Sequence, residues 1–309
     1  EGFELIDRIK NKGTLPMVTS CSPGWIKFIE HFFPNSLEHL STCKSPQQMF
    51  GAVAKSYYAE KLNIDPRKMV VVSIMPCTAK KFECKRPEMN SAFHYWKNKM
   101  GLTDRDNFYD VDYVLTTREL AKMFKQSGID FSNLAEEEFD NPLGISTGAG
   151  AIFAATGGVM EAAVRTAYEV ITGKPLPSID LTAVRGFDGI KEAELDLAGT
   201  KIKVAVAHTL KNARTLLEQI EEGKSPYAFI EVMTCPGGCL GGGGQAIPTT
   251  WEIRQKRATS IYKEDSLKPV RKSHDNPAIK EIYNDFLKEP LGHHSHELLH
   301  TTYVKRGIF

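Results

Sequence analysis

Two thiols on a glycine loop are the residues best equipped for chemistry. Cys235 and Cys239 lie in Glu231-Val-Met-Thr-Cys-Pro-Gly-Gly-Cys-Leu-Gly-Gly-Gly-Gly-Gln245, with Pro-Gly-Gly between them and four glycines after them. Residues 229–233 just before are apolar enough for a buried strand. The thiols therefore sit on a tight, nearly side-chain-free loop at a strand end. Glycine lets a backbone close around a bulky ligand and turn its N–H groups inward, and thiolates select soft metals, zinc or iron–sulfur. The pattern points to a loop wrapped around an inorganic cluster. It is not a phosphate loop, because no Lys-Ser or Lys-Thr follows the glycines.

The other four cysteines are Cys21, Cys43, Cys77 and Cys84. Six in 309 residues are too sparse for a disulfide scaffold and suit metal or catalytic thiols in a reducing compartment, which makes a cytoplasmic location the expectation. Cys43 and Cys84 read as ordinary buried thiols. Cys21 and Cys77 read differently. Residues 16–20 form a short predicted strand before Cys21, and residues 69–75 are the clearest buried strand, delivering Cys77. With Cys235, three separated cysteines fall just past the carboxyl ends of predicted strands, the usual ligand address in parallel sheets.

The elements that must position them alternate. Helices are predicted over residues 5–9, from Ser22-Pro-Gly-Trp25 onward, from Ser45-Pro46 to Leu62, from Arg118 to Gln126, over 151–171 with an interruption at Gly157-Gly158, over 210–222 and over 276–287. Strands are predicted at 112–117, 201–208 and 229–233, besides the two above. The β-branched run at 69–75 predicts a strand covered on both faces. Residues 91–109 lack a period and read as a surface insertion. This alternation gives an α/β fold with mainly parallel strands, two lobes, and the cluster between them. Residues 1–246 read as the main domain and 247–309 as a tail wrapping it. The histidines at its end, His293, His294, His296 and His300, read as structural or exposed rather than as a metal site.

Composition excludes other classes. The chain is 41% hydrophobic and 25% charged with a net charge of +1, ordinary for a globular protein and no argument for nucleic acid. No run of 18 apolar residues, the length that would span a bilayer, occurs.

Three segments in order, Thr19-Ser-Cys-Ser-Pro-Gly-Trp25, Met75-Pro-Cys-Thr-Ala-Lys-Lys-Phe-Glu83 and Glu231-Val-Met-Thr-Cys-Pro-Gly-Gly-Cys239, resemble the three signature motifs of the iron-only (FeFe) hydrogenases. Ser41-Thr-Cys-Lys-Ser-Pro-Gln-Gln48, Thr147-Gly-Ala-Gly-Ala-Ile-Phe153, Arg271-Lys-Ser-His274 and His296-Glu-Leu-Leu-His300 are similar to further family segments, so the resemblance covers nearly the whole chain. It implies an H-cluster, a 4Fe-4S cubane bridged through one cysteine to a two-iron unit bearing CO, cyanide and a dithiolate, and the reversible formation of H2 from two protons and two electrons. On the family pattern Cys77, Cys235 and Cys239 are cubane ligands, with Cys239 bridging. Lys80, Ser45, Pro46 and Gln47 match positions that hydrogen-bond the cyanides; Met75, Phe153 and Met233 match pocket walls.

The first motif departs from that pattern. The family usually has two adjacent cysteines before Pro-Gly-Trp, the first a proton relay and the second the fourth cubane ligand. Here the pair is Cys21-Ser22. Either Cys21 relays protons and Ser22 takes the ligand position, or the loop shifts and Cys21 binds iron. The resemblance further implies a proton path through Glu1, Glu4, Ser41 and Arg8 to Cys21. It also implies an electron partner: a ferredoxin-like module or subunit, or a flavin- or nicotinamide-binding subunit. The family's catalytic domain normally carries sequence before Glu1, so the outer end of that path is expected to be incomplete here. Two rival readings stand beside the enzyme: an H2-sensing relative, kept open by Ser22, and an iron–sulfur assembly protein carrying only a cubane.

Overall fold

The computed structural model describes residues 1–197 and 199–307. In chain order its elements are α1 (Gly2–Lys10), β1 (Met17–Val18), α2 (Pro23–Phe32), α3 (Pro46–Val53), β2 (Val72–Met75), α4 (Ser91–Met100), β3 (Tyr113–Thr116), α5 (Thr117–Gln126), α6 (Gly148–Ile152), α7 (Gly158–Thr172), β4 (Ile190–Leu197), β5 (Thr200–His208), α8 (Leu210–Glu221), β6 (Tyr227–Met233), α9 (Trp251–Leu267), α10 (Pro277–Ile282) and α11 (His293–Leu299). Short helical turns and loops join them.

Four strands form one sheet in the order β1-β6-β5-β4. β1 and β5 both run parallel to β6, while β4 closes the edge antiparallel. The continuous apolar run of β6 follows from burial on both faces. Ile230 and Val232 face Trp25, Ile29 and Leu216 from α2 and α8. Phe229 faces Leu5, Met160 and Val164 from α1 and α7. Each such fully buried aliphatic side chain contributes about 1.5–3 kcal/mol. Trp25 is fully buried, and its indole N–H donates to the Thr19 carbonyl at 2.9 Å, which ties the start of α2 to the loop carrying Cys21.

β2 and β3 make a separate parallel pair, with Val72 opposite Tyr113 and Met75 opposite Thr116. The expectation of a strand covered on both faces is corrected here. Met75, Val111, Val114 and Cys84 pack one side, but Val72 is 48% and Tyr113 62% exposed. The apolar run is real, yet only one face of this pair is packed.

Other expectations change for tertiary reasons. Residues 91–109 are not a surface insertion: α4 buries Ala92, Phe93 and Tyr95. Its first turn is closed by Asp110, whose carboxylate accepts from the N–H groups of Ser91 (3.2 Å) and Ala92 (2.8 Å). The interruption expected at Gly157-Gly158 is present: α6 and α7 are parted where Gly157 takes φ +89°. β4 went unpredicted, although its exposed Glu192, Glu194 and Asp196 alternate with half-buried Lys191, Ala193 and Leu195, the pattern of a one-sided edge strand.

The tail is fixed to the main body by a buried ion cluster. Arg165 of α7 donates to both oxygens of Asp265 in α9, each at 2.8 Å, and to Glu161 at 2.6 Å. All three side chains are fully buried. Removing one member would cost about 3–5 kcal/mol by leaving a buried charge unpaired.

Candidate functional site

The parallel neighbours β1 and β6 end on the same edge, so the chain leaving them places Cys21 and Cys235 on one side of the sheet. β2, in the other sheet, delivers Cys77. The glycine loop joins the two sheets. Gly237 and Gly238 take φ of +84° and +69°, a left-handed pair that other residues adopt only with strain, and this turn swings Cys239 back from Cys235. Beyond it the loop lies against Pro76-Cys77: a Cβ on Gly242 would fall 2.1 Å from the Pro76 carbonyl oxygen, and the Gly244 N–H donates to that oxygen at 3.0 Å. The glycine run thus serves close backbone-to-backbone approach. His208, at the end of β5, accepts the Gly237 N–H at 2.7 Å, which fixes the loop from the sheet side.

Electrostatics report the same gathering. Burial pushes the Cys239 thiol up to about 11; Lys80 opposes, and the neighbouring Cys77 and Cys235 add to the rise. Burial and then Cys77 raise Cys235. Neutral thiols in a buried group become thiolates readily only when a cation compensates them. A single zinc ion needs thiolate sulfurs about 4 Å apart. Among the described residues, no three of Cys21, Cys77, Cys235 and Cys239 have sulfurs within 4.8 Å of one another. Cys43 and Cys84 are free and buried, as expected.

The adjacent residues Cys21 and Ser22 point to different neighbours. Cys21 lines a cavity of about 590 Å³ together with Glu1, Pro46, Met49 and Phe153. Burial, then Glu1, push its thiol up, while Lys80 pulls the other way. Ser22 sits at the N-terminus of α2, with its Oγ 2.8 Å from Thr234 Oγ1, one residue before Cys235.

A buried polar rim borders Cys21. Lys80 Nζ donates to the Cys21 carbonyl at 3.0 Å and to Glu83 at 3.0 and 2.9 Å. Glu83 also accepts from Ser45 Oγ at 2.8 Å and Gln47 Nε2 at 3.3 Å. Gln47 Oε1 and both amide atoms of Gln48 are buried without a protein partner, which leaves them available to a bound group or water. Of the predicted wall residues, Phe153 lines the cavity, as does Pro46 from the set expected at the cyanides. Met233 is buried at the end of β6, and Met75 packs against the core of the second sheet.

The predicted proton-path residues lie on α1 and the chain facing it. Ser41 Oγ donates to Glu4 at 2.6 Å, and Arg8 donates to Glu4 at 2.8 Å. The Ser41 and Thr42 hydrogen bonds with Arg8 hold Glu4 below the ordinary carboxylate range, outweighing its burial. Burial raises Glu1. Its carboxylate accepts not from Ser41 but from the Ser20 N–H and hydroxyl, at 3.2 and 3.3 Å. Three contributors were missed in the sequence. Ser20 gives no signal there, and Glu83 is legible only as the helical i+3 neighbour of Lys80. Glu231 is buried, pushed up to about 7 by desolvation, and accepts the N–H groups of Gly157 (2.7 Å) and Met160 (2.6 Å) at the start of α7. A buried acid in an apolar strand was the one available sign.

Comparison with known proteins agrees with this arrangement. The profile of the iron only hydrogenase large subunit, C-terminal domain, matches residues 1–243, and that of the iron hydrogenase small subunit matches residues 251–306. The chain is 51% identical to the NADP-reducing hydrogenase subunit HndD of Solidesulfovibrio fructosivorans, over 99% of this chain and 51% of that protein. It is 30% identical to the cytosolic iron-sulfur assembly component 3 of Bos taurus, over 94% of this chain and 59% of that protein. It thus spans about half to three fifths of these relatives. Its fold superposes on apo FeFe-hydrogenase HydA1 from Chlamydomonas reinhardtii with a TM-score of 0.81 at 43% identity, over 99% of this chain and 81% of the other. No helix among the described residues is long and apolar enough to cross a membrane. With its cysteine loop, its α/β scaffold and its tail all matched, the chain belongs to the iron-only hydrogenase family.

Proposed function

We propose that this chain is the catalytic part of an iron hydrogenase, interconverting H2 with two protons and two electrons. The observation that carries this reading is the cavity of about 590 Å³ lined by Cys21, Pro46 and Phe153, with Lys80 bonded to the Cys21 carbonyl. The donor set fits the cofactor: Cys77, Cys235 and Cys239 would hold the cubane, and Lys80, Ser45 and Gln47 would offer hydrogen bonds to a two-iron unit with CO, cyanide and dithiolate. When bound, that cluster supplies the redox chemistry and the site at which H2 is made or split.

The chain's own residues then have separable tasks. Cys21 faces the cavity and carries protons at its Sγ, and Glu1 and Glu4 extend the path outward along α1. Ser22, whose Oγ lies beside Thr234, would supply the remaining, oxygen ligand to the cubane. Lys80 offers an ammonium to bound anionic groups, and Glu83 holds it there. Phe153 and Pro46 keep water out. Similarity to HndD favours a nicotinamide-linked electron partner reached through a flavin or ferredoxin-like module.

Infrared spectroscopy of the matured protein tests the reading. Bands of bound CO and cyanide together with H2 evolution from a reduced dye are the expected result. A cubane signal without those bands would establish the assembly-type reading that similarity to the assembly component allows. Bands with only slow turnover would establish the H2-sensing one.

A further inference from the structure

Arg8, one of the predicted path residues, is badly suited to carry protons. A guanidinium does not deprotonate in proteins. Here it is also tied down, donating to the carbonyls of Thr14 (3.1 Å) and Leu40 (2.6 Å) as well as to Glu4. It closes the Glu4 end of the path instead of extending it. Another route leaves the same carboxylate. Glu4 Oε1 accepts from the Thr42 N–H at 3.1 Å and lies 3.5 Å from the Thr42 hydroxyl. That hydroxyl is 2.7 Å from His300 Nδ1. The His300 ring stands 4.3 Å, centroid to centroid, from that of His296, tilted by 38°; this is a ring contact and not a hydrogen bond, so a water must carry the proton between the imidazoles, and His296 is exposed to supply it on α11.

We propose that protons pass between Glu4 and solvent through Thr42, His300 and His296, so that the C-terminal tail supplies the outer end of the relay. This rests on the hydrogenase reading above. Backbone pairing builds the alignment: the Thr301 N–H donates to the Thr42 carbonyl at 2.7 Å, and Cys43 bridges to His300. The two segments are therefore held in register independently of the side chains. A neutral imidazole takes a proton on one nitrogen as it releases one from the other, and a hydroxyl relays likewise; neither needs to store charge. Burial, then His296, hold His300 down to about 4, so it is neutral at working pH and hands protons on. His296, in water, exchanges them with buffer.

The test uses the matured protein carrying His296→Ala, His300→Phe or Thr42→Val. In weak buffer, H2 evolution should fall about tenfold, with the CO and cyanide bands unchanged and the solvent deuterium isotope effect raised. Added imidazole should restore His296→Ala, as it would not for a structural defect. Independently of activity, NMR of the His300 imidazole should show a hydrogen-bonded nitrogen that changes in Thr42→Val. Unchanged turnover, loss of turnover that imidazole does not restore, or an unaltered His300 signal would overturn the route. Because His296 is exposed, its replacement leaves folding intact. If the unsubstituted protein shows no CO and cyanide bands, the hydrogenase reading falls first and takes this route with it.

Discussion

Ser22 Oγ and Thr234 Oγ1 lie 2.8 Å apart, joining the start of α2 to the residue before Cys235. The side chain at position 22 therefore turns toward the strand end before Cys235, whereas Cys21 lines the cavity. If Cys21 relays protons, Cys21→Ala should keep its iron and its cubane signal but lose H2 turnover by about 10²- to 10⁴-fold. Ser22→Ala should do the reverse, releasing iron faster to a chelator and shifting the cubane's electron paramagnetic resonance. Loss of the cubane in Cys21→Ala would assign that thiol to iron.

Glu83 holds Lys80 in place. Both side chains are nearly buried, 10% and 6% exposed, so Glu83→Ala leaves a buried ammonium without its partner. Denaturant unfolding should show a loss of about 3 kcal/mol. Uptake of the two-iron unit, followed by its infrared bands, should fall as well. Glu83→Gln, which keeps the acceptor but not the charge, should be milder in both.

Neighbouring glycines separate steric need from flexibility. A methyl at Gly242 would fall 2.1 Å from the backbone oxygen of Pro76, which cannot yield, whereas one at Gly243 meets only the Thr78 side chain at 3.2 Å. Gly242→Ala should purify with much less iron per chain, and Gly243→Ala with nearly the native amount. Equal iron in the two would show that the approach of the loop to Cys77 does not matter.

Glu231 makes stability depend on pH. Its folded pKa stands near 7 against an ordinary 4.5, mainly because burial disfavours the anion. Between those values the folded chain keeps a proton that the unfolded chain has released, so stability falls as the pH rises across the window. The stabilisation is fully present only below it. The change approaches about 3 kcal/mol. Urea unfolding of cluster-free protein at several pH values should show this decline, and Glu231→Gln should flatten it.

What the sequence made legible were features written in local pattern. Cys21, Cys77 and Cys235 past strand ends, the apolar β6 and the helices opened by Ser22-Pro23 and Ser45-Pro46 could all be read, because propensity and patterning agree there. What it hid depends on distant partners. Asp110 caps α4 from beyond its C-terminus, Ser20 reaches Glu1 across a strand, and the exposure of Val72 depends on what else joins its sheet. The surroundings of Cys21 and Ser22 were hidden for the same reason: adjacent residues share a local pattern, and only the fold brings Thr234, 212 positions along the chain, to Ser22.

The Arg165–Asp265 clamp has a consequence for how the polypeptide can be cut. Residues 246–248, between the regions matched by the large-subunit and small-subunit profiles, are exposed, while Asp265 beyond them is locked to α7 by two 2.8 Å bonds. Nicking the backbone there severs a tether and leaves the attachment. Two separately expressed fragments should find each other and reconstitute the fold, so that one gene or two can encode the same object.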